Sequence, residues 1–183
     1  LVTGAGRGIG RAAAAALADA GAEVTLAARS GDEVKAVAAA IREAGGQADA
    51  LTLDVTDTVA VANEIAARGP FQVLFNNAGT NRPTELLDIT EEDYDAVTDL
   101  NVRGAIFVAK AVAKGLIEAT LPGSIINVSS QMGHVGGIKR TVYCATKHAI
   151  EGATKAMAWE LGTHGIRVNT ICPTFIKTPM TAG

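Results

Sequence analysis

The stretch Thr3-Gly4-Ala5-Gly6-Arg7-Gly8-Ile9-Gly10 lies between an apolar start, Leu1-Val2, and a helix-forming run over residues 11–20. A glycine-rich turn that leaves a strand and opens a helix forms an anion site. Its glycines let the backbone approach a pyrophosphate, and the first helical N–H groups are unpaired. Helix-capping turns also produce glycine clusters, and the chain has 20 glycines. The position of this turn between a strand and a helix therefore predicts a nucleotide site.

Composition narrows the class of protein. The length of 183 residues is that of one domain, and hydrophobic residues make up 48% of it while aromatic residues make up only 4%. A core of small aliphatic side chains suits buried parallel strands. The net charge of −3 gives no electrostatic signature of nucleic-acid binding. No apolar run is long enough to span a membrane and the first residues show no signal-peptide pattern, so we expect neither a nucleic-acid nor a membrane partner.

Cysteine and histidine usage argues against a metal. Cys144 and Cys172 are too few for a disulfide framework and lack metal-ligand spacing, and the three histidines form no metal-binding motif. We expect two small buried thiols, no metal site and a reducing, cytoplasmic setting.

Apolar runs alternate with helical patterns along the whole chain, which favours βαβ units and a parallel sheet with helices on both faces. The predicted strands cover residues 1–3, 23–28, 48–53, 72–76, 124–129 and 167–171. The predicted helices cover residues 9–20, 32–44, 56–67, 91–119 and 142–162. We predict one domain over residues 1–183, an α/β Rossmann-like doubly wound sheet in three layers. The short first strand and the absence of a strand pattern after Pro173 suggest a truncated module without a C-terminal strand or substrate flap.

The order of several motifs resembles that of the short-chain dehydrogenase/reductase family. The glycine spacing is TGxxxGxG rather than the commoner GxGxxG, Asn76-Asn77-Ala78-Gly79 follows the fourth predicted strand, and Tyr143 and Lys147 form YxxxK. The resemblance covers essentially all 183 residues. The matching positions, in family order, are Thr3 to Gly10, Asp54, Asn76 to Gly79, Asn101, Ser130, Tyr143, Lys147 and Pro173.

Tyr143 and Lys147 are the candidate chemical centre. A spacing of i and i+4 puts both side chains on one face of a helix. A phenol titrates near pH 10, and a neighbouring ammonium favours its ionised form, so we expect Lys147 and the nicotinamide ring together to lower the pKa of Tyr143. The alternative is an exposed lysine beside a half-buried tyrosine. The resemblance implies that Tyr143 is the general acid/base and that Lys147 also binds the nicotinamide ribose.

Ser130 lies 13 positions before Tyr143, at the carboxyl end of the fifth predicted strand. Ligands of open α/β sheets collect at that edge. The resemblance implies that the Ser130 hydroxyl polarises the substrate carbonyl. Ser129 is the competing candidate, and strand alternation favours Ser130 because neighbours point to opposite faces.

Asn101 is an unusual residue for the interior of the predicted helix 91–119. The resemblance implies that it holds a water in a proton relay to Lys147. The alternatives are a local bond to the backbone, or a kink helped by Gly104.

The end of the second strand decides between the two nicotinamide cofactors. An acid there would bind the ribose 2′-OH of NAD and repel a 2′-phosphate, whereas this chain has Ala28 followed by Arg29. A guanidinium holds a phosphate by paired hydrogen bonds, and Arg7 lies within the glycine-rich turn. We predict NADP. The alternative is that Asp32 or Glu33 serves NAD.

The resemblance also implies a set of cofactor contacts. These are Thr3, Gly4, Gly6, Arg7, Gly8, Ile9 and Gly10 in the turn, Arg29, Asp54, Asn77, Ala78 and Gly79, the pair Tyr143 and Lys147, and finally Pro173 and Thr178. Asp54 resembles an adenine-contacting acid, and its alternative role is an N-cap for the helix predicted from residue 56. Thr174 stands where the family usually has glycine.

The predicted function is hydride transfer between NADP(H) and a carbonyl or secondary alcohol substrate, and the alternative is a non-catalytic NADP-binding module. The substrate class stays open between 3-oxoacyl reductase-like and sugar or polyol dehydrogenase-like activity. His134, Lys139 and Arg140, in the loop 131–140, indicate either an anionic or polyhydroxylated substrate or a solvated rim. The resemblance further implies a homo-oligomer, a tetramer or dimer, formed through helices 91–119 and 142–162.

Overall fold

Six parallel strands alternate with helices in the computed structural model, which describes residues 1–178. The strands are β1 (Val2–Thr3), β2 (Glu23–Ala28), β3 (Gln47–Thr52), β4 (Val73–Asn76), β5 (Gly123–Val128) and β6 (Ile166–Ile171). The α-helices are α1 (Gly8–Asp19), α2 (Gly31–Glu43), α3 (Thr58–Arg68), α4 (Glu91–Thr98), α5 (Ala105–Glu118) and α6 (Thr141–Gly162). Every predicted strand is present, with ends that differ from the prediction by one residue at most.

The strands form one sheet in the order β3-β2-β1-β4-β5-β6. This order reverses direction next to β1, where Val2 pairs with Leu26 on one side and with Phe75 on the other. The carboxyl ends of β1 and β4 therefore diverge into a crevice, which is where open α/β sheets bind ligands. The predicted doubly wound, three-layer fold is confirmed.

Side-chain alternation divides the core between the two faces of the sheet. Val2 and Phe75 pack in one apolar cluster with residues of α1 and α2, whereas Leu1 and Leu74 pack in the other with residues of α3 and α5. Neighbouring residues of a strand point to opposite faces, so each central strand supplies both clusters. Consecutive positions of β4 and β5 are therefore apolar, as in Leu74-Phe75 and Ile125-Ile126.

The predicted helix over residues 91–119 is wrong as a single element. It is divided into α4, a π-helical segment (Asp99–Gly104) and α5. The wide turn sits where Asn101 directs its side chain out of the helix to residue 80, and where Gly104 comes close to Val55. A Cβ on Gly104 would lie 3.0 Å from a methyl carbon of Val55. The segment thus follows from contacts outside the helix, as π-bulges at functional positions often do.

A second correction concerns the start of α3. Asp57 is its N-cap residue and accepts hydrogen bonds from the N–H groups of Val59 and Ala60, at 3.1 and 3.0 Å. The helix therefore begins at Thr58 rather than at residue 56, and Asp54 is not its cap. Within residues 1–178, no helix combines the length and the apolar character that a membrane span requires.

Candidate active site

The glycine-rich turn has the backbone that an anion site needs. Gly4 and Gly8 have φ of +62° and +55°, a region that favours glycine. A Cβ on Gly10 would collide with the carbonyl oxygen of Gly4. Helix α1 begins at Gly8, and its N-cap residue Arg7 makes no side-chain capping bond to the first helical N–H groups. A phosphate would fit both the open backbone and these donors.

Thr3 and Asn77 join this turn to the end of β4. The Thr3 hydroxyl accepts hydrogen bonds from the backbone N–H groups of Asn77 and Ala78, at 2.9 and 3.0 Å. The Asn77 amide donates in turn to the carbonyls of Thr3 and Gly4, at 3.1 and 3.2 Å. These two predicted cofactor residues therefore fix the width of the crevice.

A groove runs from the turn across the ends of β2 and β3. Its lining includes the predicted contacts Gly4, Gly6, Arg7, Gly8, Ile9, Arg29, Asp54, Asn77, Ala78, Gly79 and Thr178. Thr3 and Gly10 lie behind this surface and support it through the contacts described above. The shape, the open helix N-terminus and the glycine backbone together fit a dinucleotide.

The two acidic side chains that line the groove, Asp54 and Glu33, contact different parts of the protein. Asp54 accepts hydrogen bonds from the N–H and the hydroxyl of Thr56 on one carboxylate oxygen, at 3.0 and 2.8 Å, and this Asx-type turn holds it at the wall. Glu33 lies against the glycine-rich turn, because a Cβ on Gly6 would be 2.7 Å from its carboxylate oxygen Oε2. Of the two acids that might serve NAD, Glu33 lines the groove and Asp32 does not.

A second cavity continues from the groove. Ser130, Tyr143, Lys147 and Pro173 line it. Both cavities share Ile9, Asn77, Gly79 and Thr178, so they form one cleft. The structure thus brings the predicted chemical residues to one end of the predicted cofactor site.

Burial dominates the protonation of Tyr143. It raises the pKa of the phenol, and the hydrogen bond with Ser130 and the positive charge of Arg140 offset only part of that rise. The Lys147 ammonium lies 5.5 Å from the centre of the Tyr143 ring and donates to the backbone carbonyl of Val128 at 2.8 Å. The lowered phenol pKa expected from the sequence is therefore not produced by the groups of the protein itself.

Lys147 is a buried cation. Burial lowers its pKa from 10.5 to about 8, although the nearby Cys172 and Glu151 have the opposite effect. The ammonium still carries its charge at neutral pH. The ammonium donates a hydrogen bond to the backbone carbonyl of Val128, at the end of β5, and this bond holds it at the cleft beside Tyr143.

Asn101 is connected to Tyr143 through Thr146. The Asn101 carbonyl oxygen accepts from the N–H of Thr80 at 2.8 Å, and its amide donates to the Thr80 carbonyl at 2.9 Å and to the Thr146 hydroxyl at 3.1 Å. The Thr146 hydroxyl donates to the Tyr143 carbonyl at 2.8 Å. Both amide hydrogens are used, and these bonds tie the Asn101 side chain to α6; its role in a proton relay stays a prediction.

A family model described as short chain dehydrogenase matches residues 1–183. A D-erythrulose reductase from Gallus gallus is 43% identical over 180 residues, which are 98% of this chain and 72% of that protein. An L-xylulose reductase from Bos taurus is 42% identical with the same coverage. The chain belongs to the short-chain dehydrogenase family. The resemblance that the sequence motifs indicated is therefore confirmed.

A solved structure supports the fold of this short-chain dehydrogenase. It is a protein from Beutenbergia cavernae assigned as an NAD(P)-dependent gluconate 5-dehydrogenase, with NADP bound at low occupancy. The two chains superpose with a TM-score of 0.94 at 35% identity, over 99% of this chain and 73% of the other. Membership places the chain among oxidoreductases.

The sequence analysis did not identify Thr146 and Asn127, two residues that support the site through hydrogen bonds without lining the cavity. Thr146 lies inside the YxxxK motif and carries the Asn101 contact. Asn127 is buried in β5, where it accepts from the Asn76 amide at 3.0 Å and donates to Thr154 of α6 at 2.9 Å. The signal available in the sequence was a single asparagine, Asn127, within an otherwise apolar stretch.

The thiols of Cys144 and Cys172 are half-buried, not buried as expected.

Proposed function

We propose that this short-chain dehydrogenase interconverts a carbonyl and a secondary alcohol with NADP(H), and that Tyr143 is its general acid/base. The observation that carries the proposal is the convergence of Ser130, Tyr143 and Lys147 at one end of a cleft whose other end is the glycine-rich turn. A substrate carbonyl in this cavity would lie between a hydroxyl donor and a phenol, next to the cofactor groove.

The roles of the side chains follow from their chemistry. A bound nicotinamide supplies the hydride for reduction, or accepts it in oxidation. Ser130 and Tyr143 hold the substrate oxygen, and the raised pKa keeps Tyr143 protonated at neutral pH, so it can deliver its proton to the forming alkoxide. Lys147, charged and fixed by Val128, stabilises the phenolate that remains.

The groove supports NADP as the cofactor. Arg7 and Arg29 both line it and supply two cations for a 2′-phosphate, whereas the end of β2 presents Ala28 instead of an acid. Glu33 also lines the groove beside the glycine-rich turn and would favour the free 2′-OH of NAD, whereas Asp54 is bonded to Thr56 at the wall. We expect the two guanidinium groups to favour the phosphate, and the solved relative that contains NADP agrees.

The substrate we propose is a small sugar or polyol. Thr80 and Thr174 line the cavity beside Ser130, and their hydroxyl groups would suit a polyhydroxylated ligand. Two of the three polar loop residues contact other groups, since Lys139 pairs with Glu85 at 3.2 Å and His134 contacts Cys172 at 3.4 Å. The names of the relatives, D-erythrulose and L-xylulose reductase, agree with this class.

The decisive test replaces the phenol. Tyr143→Phe should lower the rate of NADPH-dependent ketose reduction at least about 100-fold, because it removes the proton donor, while NADPH binding followed by fluorescence stays near that of the unmodified protein. Tyr94→Phe is the matched control, since this tyrosine is 51% exposed on α4 and should keep full activity.

Two outcomes would contradict the proposal. Substantial turnover by Tyr143→Phe would remove this residue from its role. NADPH binding without oxidation by any of a panel of ketoses and other ketones would favour the non-catalytic binding module instead.

We also propose that residues 1–183 are one dinucleotide-binding and catalytic domain that forms a homo-oligomer. The support for assembly is the 88% exposure of Trp159 on α6, together with the exposed Phe107 on α5. The two free thiols agree with a reducing, cytoplasmic setting. Light scattering should give a mass above that of one chain, and Trp159→Ser should lower it; a monomer in both cases would contradict assembly.

A further inference from the structure

A cluster of metal-binding side chains lies behind the catalytic cavity. His134 follows a short 3-10 helix (Gln131–Gly133), Glu151 lies on α6, and Cys172 directly follows β6. The imidazole Nε2 is 3.4 Å from the Cys172 sulfur and 3.7 Å from the Glu151 oxygen Oε2. The Cys172 thiol donates to the other Glu151 oxygen, Oε1, at 3.2 Å. All three ligand atoms lie within 4.8 Å of one another.

These separations are close to those of a tetrahedral metal site. Zinc binds nitrogen and oxygen at about 2.0 Å and sulfur at about 2.3 Å, so its tetrahedral ligands stand about 3.3–3.6 Å apart. The imidazole nitrogen and the sulfur are 3.4 Å apart, and each contacts a different oxygen of Glu151, the sulfur Oε1 at 3.2 Å and the imidazole Oε2 at 3.7 Å. An ion could therefore enter after a rotation of the carboxylate that turns one oxygen toward both partners.

We propose that His134, Glu151 and Cys172 bind a zinc-type divalent cation. The set of imidazole, carboxylate and thiol ligands suits zinc, and three protein ligands leave one coordination position open. His134 is exposed, so an ion can reach the site from solvent, whereas Glu151 is buried.

The surroundings of Glu151 hold it in place for a ligand. The Thr170 hydroxyl donates to Oε2 of the carboxylate at 3.2 Å, an orienting bond of the kind that metal ligands usually have. Gly133 packs against the side chain, because a Cβ there would lie 3.1 Å from the Glu151 Cγ. Within residues 1–178, the one ion-pair partner that reaches this buried carboxylate within 4.0 Å is His134. A buried carboxylate of this kind gains from a cation.

The spacing along the chain gave no indication of such a site. His134 and Cys172 are 38 positions apart, and Cys172 is 21 positions from Glu151. Only the pairing of β5 with β6 and the packing of α6 on them bring the three together.

The proposed metal site lies next to residues that line the catalytic cavity. Glu151 lies one helical turn after Lys147, and Cys172 precedes Pro173, which lines the cavity. A bound dication would neutralise the negative charge that Glu151 places near Lys147. We expect zinc to inhibit turnover, provided that the proposed function holds; the metal binding itself does not depend on it.

Cobalt is the direct probe, because its spectrum reports ligand type and geometry. The full chain, freed of metal with a chelator, should bind one Co²⁺ with a thiolate-to-cobalt charge-transfer band and tetrahedral visible bands, and added Zn²⁺ should remove both. Cys172→Ser should abolish the charge-transfer band, and His134→Ala should weaken cobalt binding at least about tenfold. Cys144→Ser, which alters the other thiol, should keep the band.

Two results would overturn the proposal. One is cobalt binding without the thiolate band in the unmodified protein; the other is a band that survives Cys172→Ser or disappears in Cys144→Ser. Circular dichroism of each variant separates loss of the ligand from loss of the fold. These readouts need no turnover, so a failure of the proposed enzymatic function would leave them interpretable.

Discussion

The buried ammonium of Lys147 should make the stability of the protein depend on pH in a defined window. Its side chain is 7% exposed, and burial lowers its pKa from 10.5 to about 8. One pKa unit corresponds to about 1.4 kcal/mol, so keeping this cation in the folded state costs roughly 3 kcal/mol. Between about pH 8 and pH 10.5 the unfolded chain binds more protons here than the folded chain does. The contribution of Lys147 to stability therefore rises with pH, and its cost is complete below about pH 8.

Lys147→Met tests this by removing the charge while keeping much of the side-chain volume. Urea unfolding of the unmodified protein and the variant at several pH values from about 7 to 10.5 gives the difference between their free energies of unfolding. We expect this difference to change by roughly 3 kcal/mol in favour of the unmodified protein as pH rises. Lys147→Met also removes the hydrogen bond to the Val128 carbonyl, at every pH, and this loss adds only a constant to the difference in the free energy of unfolding.

Lys155→Met is the matched control, because Lys155 is exposed on the same helix. Its difference from the unmodified protein should stay flat across the same range. A flat difference for Lys147→Met as well would refute the argument, since it would mean that the ammonium is as well stabilised in the folded protein as in water.

Three further substitutions and one control complete the tests. Gly10→Ala should destabilise the fold by several kcal/mol and abolish NADPH binding, because the new methyl collides with the Gly4 carbonyl; Gly152→Ala, in open space on α6, should stabilise the protein by about 0.5–1 kcal/mol in the same thermal unfolding assay. Asn101→Ala should cost about 1–3 kcal/mol in urea unfolding, because the Thr80 N–H loses its acceptor; an unchanged midpoint would count against this role. Ala28→Asp should shift the ratio of kcat/KM values from NADPH toward NADH, and an unchanged ratio would contradict the account of the 2′-phosphate.

Local patterns made the strands and the glycine-rich turn predictable. Each strand is a short segment next to a turn in which apolar residues either follow one another or alternate with polar ones, and glycine at positions 4 and 8 is required by a φ that other residues adopt with strain. The family motifs identified Tyr143 and Lys147 on one helix. These features depend on neighbours in sequence, which the sequence displays directly.

Features that depend on distant residues were not visible in the same way. The π-helical segment follows from the contact of Asn101 with Thr80, 21 positions away, and no propensity of the local sequence encodes it. The effect of Lys147 on the phenol pKa could not be read from the sequence for a similar reason. Spacing on a helix brings Lys147 near Tyr143, but the degree of burial, which only the packed structure gives, decides the direction of the shift.

Buried polar pairs accompany the apolar contacts of α6 with the sheet. Beside Ile150, its buried residues are the polar Thr146, Lys147, Glu151 and Thr154. Each has a partner from another element or turn: the Asn101 amide, the Val128 carbonyl, the Cys172 thiol and the Asn127 amide, respectively.

Apolar residues of similar volume at these positions would bury equal surface without the desolvation of polar groups, so the pairs are poorly explained by stability alone. They do define a single register of the helix, because sliding by one turn would leave four buried polar groups unsatisfied. Placing Tyr143 within reach of Ser130 requires such a register. The buried polar residues of α6 are therefore best explained by their effect on the position of the helix. Their cost in folding stability is largest at Lys147, whose charge the proposed chemistry requires.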